Sequence, residues 1–144
     1  MTLDKVNNKL NNIATLCNRT NFNCLFSLQK IGNNCNTLKE DIIKYGSMKY
    51  KWVKAVDVSV IDNWKDKLFN TIKQNWSKSE GKVLISNEDI KDFIDILNQY
   101  ISGYKSVKCY ELKSDVSYFG DCYSNDFAFQ LDCENYILRF SMND

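Results

Sequence analysis

The stretch Asn125–Asp144, NDFAFQLDCENYILRFSMND, reads as two strands and a turn. Phe127, Phe129 and Leu131 alternate along one side of the first strand, and Tyr136, Leu138, Phe140 and Met142 alternate along one side of the second. A period of two is that of a pleated strand. Between them Asp132-Cys133-Glu134-Asn135 is a short polar connection, so the whole predicts an antiparallel hairpin with one apolar face. A lone hairpin is marginal in water. The rest of the chain must supply its cover.

Working outward, Val107, Cys109 and Glu111 alternate with Lys108, Tyr110 and Leu112, which predicts a third strand. Before Gly103 the period changes to that of a helix. Ile90, Phe93, Ile94, Leu97 and Ile101 form one stripe behind Ser86 or Asn87 as a start signal. Ile61, Trp64, Leu68, Ile72 and Trp76 form another, about five turns long, with Ser59-Val60-Ile61-Asp62 as its apparent start. Thr37-Leu38-Lys39-Glu40 has the form of a capping box and predicts a short helix through Leu38, Ile42 and Tyr45 that Gly46 ends. The first seventeen residues read as an amphipathic helix on Leu3, Val6, Leu10, Ile13 and Leu16. Residues 22–32 carry both periods: Phe22, Phe26 and Gln29 suit a helix closed by Gly32, while Phe22, Cys24, Phe26 and Leu28 alternate. The helical reading is adopted. The expectation is an α+β fold in one domain, residues 1–144. Residues 1–104 are mainly helical and pack on a small antiparallel sheet of about three strands, within 105–144, that ends in the hairpin.

At 144 residues, 44% of them hydrophobic and 13% aromatic, the chain can bury a core without metals or disulfides. There is no histidine, which excludes Ser-His-Asp and Cys-His arrangements, most zinc sites and the commonest general base. Five scattered glycines form neither GxGxxG nor GxxxxGK, so a phosphate cradle is excluded. Carboxylates alone could serve a glycosidase-like reaction. Asp115, Asp121, Asp126, Asp132 and Glu134, however, fall mostly in turn-like contexts where such residues cap and solvate. The sequence predicts no enzyme, no cofactor and no metal.

Six cysteines, Cys17, Cys24, Cys35, Cys109, Cys122 and Cys133, show no C-x-x-C spacing. Polar residues interrupt the N-terminal apolar pairs, so no secretory signal is read there, and no stretch approaches a membrane span. The expectation is a cytoplasmic protein with free thiols, mostly buried. Abundant Asn, Lys and Ile with no proline suggest an AT-rich coding sequence of bacterial, phage or mobile-element origin.

The net charge of +1 conceals a split. Residues 111–144 hold seven acids against Lys113 and Arg139, a net of −5, and residues 1–110 carry a net of +6. The acidic part includes DVSYFGDCYSND, residues 115–126, where Tyr118, Phe119 and Tyr123 lie among aspartates. Aromatics ringed by acids suit a protein-binding face, with Asp115, Tyr118, Phe119, Asp121, Tyr123 and Asp126 as its candidate residues. The alternative is that the aromatics pin a loop and the aspartates solvate it. A second candidate surface is KYGSMKYKWVK, residues 44–54. There Lys44, Lys49, Lys51 and Lys54 interleave with Tyr45, Tyr50 and Trp52 in a pattern compatible with phosphate contacts and base stacking. The near-neutral whole and the lack of a nucleic-acid motif weigh against that reading.

The composition, together with the hairpin FAFQLDCENYILRF (residues 127–140), resembles the immunity proteins of bacterial polymorphic and contact-dependent toxin systems. The resemblance extends over the whole chain in style and carries no functional residue with it. It implies a soluble inhibitor that binds the C-terminal domain of a cognate toxin, often a nuclease, and occludes its active site. A phage-encoded inhibitor of a bacterial defence nuclease would share these features, and a small nucleic-acid-binding regulator is the rival class.

Overall fold

The computed structural model describes residues 1–18, 22–49, 56–113 and 123–143, with the side chains of 47–49 excepted. The fold is α+β. Among the described residues four helices, α1 (Leu3–Cys17), α2 (Leu38–Lys49), α3 (Trp64–Asn75) and α4 (Asn87–Ile101), accompany seven strands. These are β1 (Asn23–Gly32), β2 (Asp57–Ile61), β3 (Lys78–Ser79), β4 (Lys82–Val83), β5 (Val107–Lys113), β6 (Tyr123–Leu131) and β7 (Glu134–Asn143). Five strands form one antiparallel sheet in the order β1-β7-β6-β5-β2, and β3 pairs with β4 in a separate ribbon.

The expected three-strand meander β5-β6-β7 is the middle of this sheet, but two further strands from the N-terminal part of the chain complete it. Residues 23–32 form β1, where the sequence suggested a helix. Cys24, Phe26 and Leu28 point inward from it and pair across with Met142, Phe140 and Leu138 of β7. The physical reason is tertiary: β7 carries ten residues, and its outer edge needs a partner for every backbone amide and carbonyl. The apparent helix start at Ser59 belongs instead to β2, which pairs with β5. The helix opens later, at Asn63, whose side chain accepts from Asp66 N at 3.4 Å. It spans twelve residues and not five turns. Similarly, α2 runs through the buried Gly46 and does not stop there.

Both faces of the sheet are covered, which the one-faced hairpin pattern did not anticipate. On one face α1, α3 and α4 pack against Cys24, Phe26, Leu28, Phe127, Phe129, Leu131, Tyr136, Leu138 and Phe140. Trp76 lies fully buried here, edge-on to Phe26 at 5.2 Å between ring centroids. Leu16, expected in the α1 stripe, faces outward at 46% exposure, and Cys17 takes the inward place. On the other face α2 lays Leu38 and Ile42 over Leu112, Ala128 and Ile137. The C-terminal hairpin is therefore core structure. Its turn is the two residues Asp132 and Cys133, with Asp132 in the left-handed region at φ 55°.

Candidate functional site

Strand parity places the two described members of the candidate acidic face on opposite sides of the sheet. Tyr123 opens β6 on the three-helix side, 41% exposed, its ring 5.5 Å from Trp76 between centroids. That platform is fixed. Asn125 Oδ1 accepts from Trp76 Nε1 at 2.9 Å and from Asn75 Nδ2 at 3.0 Å, and Cys17 Sγ donates to the Trp76 carbonyl at 3.3 Å. An exposed aromatic edge thus rests on a buried indole at the end of the molecule where α1 and α3 finish.

Asp126 is 5% exposed and takes no part in an open surface. Its Oδ1 accepts from Arg139 Nε at 2.8 Å across the β6–β7 pair, and its Oδ2 accepts from the Ser124 hydroxyl at 2.9 Å. Turn-like sequence around Asp126 suggested solvation. The strand instead carries it inward, where a buried guanidinium requires it. Asp115, Tyr118, Phe119 and Asp121 lie outside the described residues.

The other described acids of the C-terminal part are also engaged internally. Glu111 meets Lys67 at 2.8 Å and Lys113 at 3.3 Å. Partial burial disfavours its charge, but the two ammonium groups outweigh that and hold its carboxyl below the usual range. Glu134 accepts from Tyr136 Oη at 2.9 Å and meets Lys30 at 3.2 Å. Here too desolvation is outweighed, by hydrogen bonds from Tyr136 and Tyr104 and by Lys30, and the carboxyl stays below its ordinary range. Tyr136 also lies within 3.0 Å of the Tyr100 hydroxyl and 3.2 Å of that of Tyr104. Burial first, and then the hydrogen bond with Tyr100, push the Tyr104 phenol up to about 12 against the opposing effect of Tyr136, while burial and the hydrogen bonds with Tyr100 and Tyr104 push Tyr136 up. Tyr104 and Tyr136 are therefore neutral donors that converge on the Glu134 carboxylate. Asp132 Oδ1 accepts from the amides of Lys105 and Ser106 at 3.1 and 2.9 Å, tying the hairpin turn to the segment that leads into β5.

Of the basic candidate surface, Lys44 is exposed beside Lys30, Ile31, Asp41 and Tyr45, which line an open depression. Tyr45 Oη donates to Gln29. Tyr50, Lys51, Trp52 and Lys54 lie outside the described residues, and Lys49 ends α2. Among the described residues no three His, Cys, Asp or Glu side chains are grouped to hold a metal. No helix among them is long and apolar enough to cross a membrane.

Sequence reasoning missed a polar network behind the hairpin. Gln130 Nε2 donates to the Cys35 carbonyl at 2.9 Å and to Asn135 Oδ1 at 3.1 Å. Asn135 Nδ2 in turn donates to the Asn34 carbonyl and to Asp41 Oδ2, both at 2.8 Å. The network fastens the loop before α2 onto the sheet. The sequence signal for it was a pair of amide side chains, Gln130 and Asn135, at alternating positions of otherwise apolar strands.

No protein-family model matches the chain, and no curated protein does. Among solved structures the chain is similar to citrus MAF1, at 14% identity and a TM-score of 0.45, over 94% of this chain and 97% of that one. A likeness of that degree carries no argument about what this chain does.

Proposed function

We propose that the protein is an inhibitor of the immunity type, which binds the C-terminal domain of a cognate bacterial toxin, a nuclease, and covers its active site. The observation that carries this reading is Tyr123, an exposed aromatic on a rigid buried platform, directly following the acidic and aromatic run of residues 114–122. A tyrosine has few rotatable bonds to order on binding and buries a large area, which makes it an effective anchor. Aspartates around it would steer a partner whose cleft is basic enough to hold nucleic acid. In this reading Asp115, Tyr118, Phe119, Asp121 and Tyr123 form the contact face. Asp126, by contrast, is committed to Arg139 within the sheet.

The test is growth of bacterial cells expressing a candidate toxin nuclease domain, chosen from a toxin reading frame found beside the gene for this chain. Co-expression of the wild-type chain restores growth. Tyr123→Ala and the Asp115→Lys/Asp121→Lys double variant, both with wild-type circular dichroism, lose that protection. Full protection by both variants contradicts this face, and no protection by the wild type contradicts the function itself.

A further inference from the structure

Five cysteines are described, none of them in a disulfide, and they divide sharply by environment. Cys17, Cys24 and Cys109 are buried. Cys17 and Cys24 donate to backbone carbonyls, and burial pushes the Cys109 thiol up to about 12. Cys35 and Cys133 are exposed, and their sulfurs are 2.9 Å apart although the residues lie 98 positions apart in the chain. That separation is inside the van der Waals contact of two sulfurs, and a small side-chain rotation reaches a bond of about 2.05 Å.

The backbone on both sides is already held. Gln130 grips the Cys35 carbonyl and Asn135 the carbonyl of Asn34, at 2.9 and 2.8 Å. On the other side, Asp132 N donates to the Ser106 carbonyl at 2.8 Å, and the Asp132 carboxylate takes the amides of Lys105 and Ser106. The thiols are therefore brought together by a network that does not depend on them.

We propose that Cys35 and Cys133 are a redox-responsive pair, closed to a disulfide by a small-molecule disulfide such as oxidised glutathione and reopened by a dithiol. The Cys133 S–H donates toward the Cys35 sulfur. This hydrogen bond holds the proton on Cys133 and pushes that thiol up, which leaves Cys35 as the sulfur that attacks first. Its thiolate bonds to one glutathione sulfur, the glutathione disulfide breaks, and one glutathione thiolate leaves. Cys133 then loses its proton and attacks Cys35 Sγ, expelling the second glutathione. The protein gives up two protons and two electrons, and with them one glutathione disulfide becomes two glutathione thiols. The bridge ties the loop entering α2 to the turn of the central hairpin and so locks α2 over the second face of the sheet.

The experiment is incubation of the full chain with oxidised glutathione, followed by intact-mass measurement and peptide mapping, with Cys122→Ser as a parallel background because that residue lies outside the described set. The expected product is lighter by two hydrogens and is linked between Cys35 and Cys133. It reverts with dithiothreitol and melts on the order of 5–10 °C higher, since the bridge closes a long loop. Cys35→Ser abolishes the shift. Cys133→Ser, which leaves the fold intact because the residue is exposed, accumulates a stable glutathione adduct on Cys35. A lasting glutathione adduct on the wild type overturns the proposal, as does a bridge to another cysteine or a covalent dimer.

Discussion

Removing the Asp126 carboxylate while Arg139 stays in place takes a counter-charge at 2.8 Å from a guanidinium in a site only 6% exposed. Breaking one partner of such a buried pair costs about 3–5 kcal/mol. Asp126→Ala should lower the urea unfolding free energy by that amount, and adding Arg139→Met should recover much of it. An unchanged midpoint in the single variant would mean that the pair contributes nothing. Asp126 also shows how a residue can be misread. In sequence it is one more acid in a polar run, yet its neighbour on the buried side of the strand, Ala128, is apolar. Only the register with Arg139 shows that its charge is neutralised internally. Tyr123 has the opposite lesson, since its exposure could be expected from the sequence but its seat on Trp76, 47 positions earlier, could not.

At the scale of elements, what was legible tracks the strength of the local pattern. In α4, five apolar residues form a single stripe and Ser86 caps the helix, accepting from Asp89 N at 3.1 Å. Sequence and structure agree there because local preference and packing point the same way. In β1 the two periods competed, and the unpaired edge of β7 decided between them. No local signal carries that information. The polar side chains of β6 and β7 misled in another way, because Asn135, Arg139 and Ser141 look solvent-facing by alternation but are buried against polar partners. Gly32, at the end of β1, marks how closely α2 approaches. A Cβ there would lie 1.9 Å from Asp41 Oδ2, an oxygen that already accepts from Asn135 and Thr37. Gly32→Ala should therefore displace Asp41 from the network and destabilise by about 1–3 kcal/mol in chemical denaturation. A variant as stable as the wild type would show that α2 is not fastened in this way.

For the whole molecule, the internally paired acids set a pH window of stability. Glu111 and Glu134 both have folded pKa values below 4.5, so they stabilise the fold above that value. Their contribution fades as the pH falls below about 4.5 and is lost once it has passed through the depressed folded values. Tyr104 works in the opposite sense: its folded pKa is raised from 10.0 to about 12, so its contribution is complete below 10 and lost between there and 12. Urea unfolding measured against pH should show a plateau that falls on both sides, with Glu134→Gln flattening the acid limb. An acid limb of the same depth in that variant would contradict the assignment. The same internal pairing bears on function, because the described acids of the C-terminal part are largely committed to the fold. In the proposed reading the steering charge falls to Asp115 and Asp121, which lie outside the described residues, alongside Tyr123. The decisive measurement is calorimetric titration of a candidate toxin nuclease domain into this protein, at low and high salt. An immunity-type inhibitor with this contact face binds saturably and one-to-one, more weakly as salt rises, and at least about tenfold more weakly in Tyr123→Ala and in Asp115→Lys/Asp121→Lys. Binding that is absent, or equally tight in both folded variants and insensitive to salt, would rule that inhibitor out.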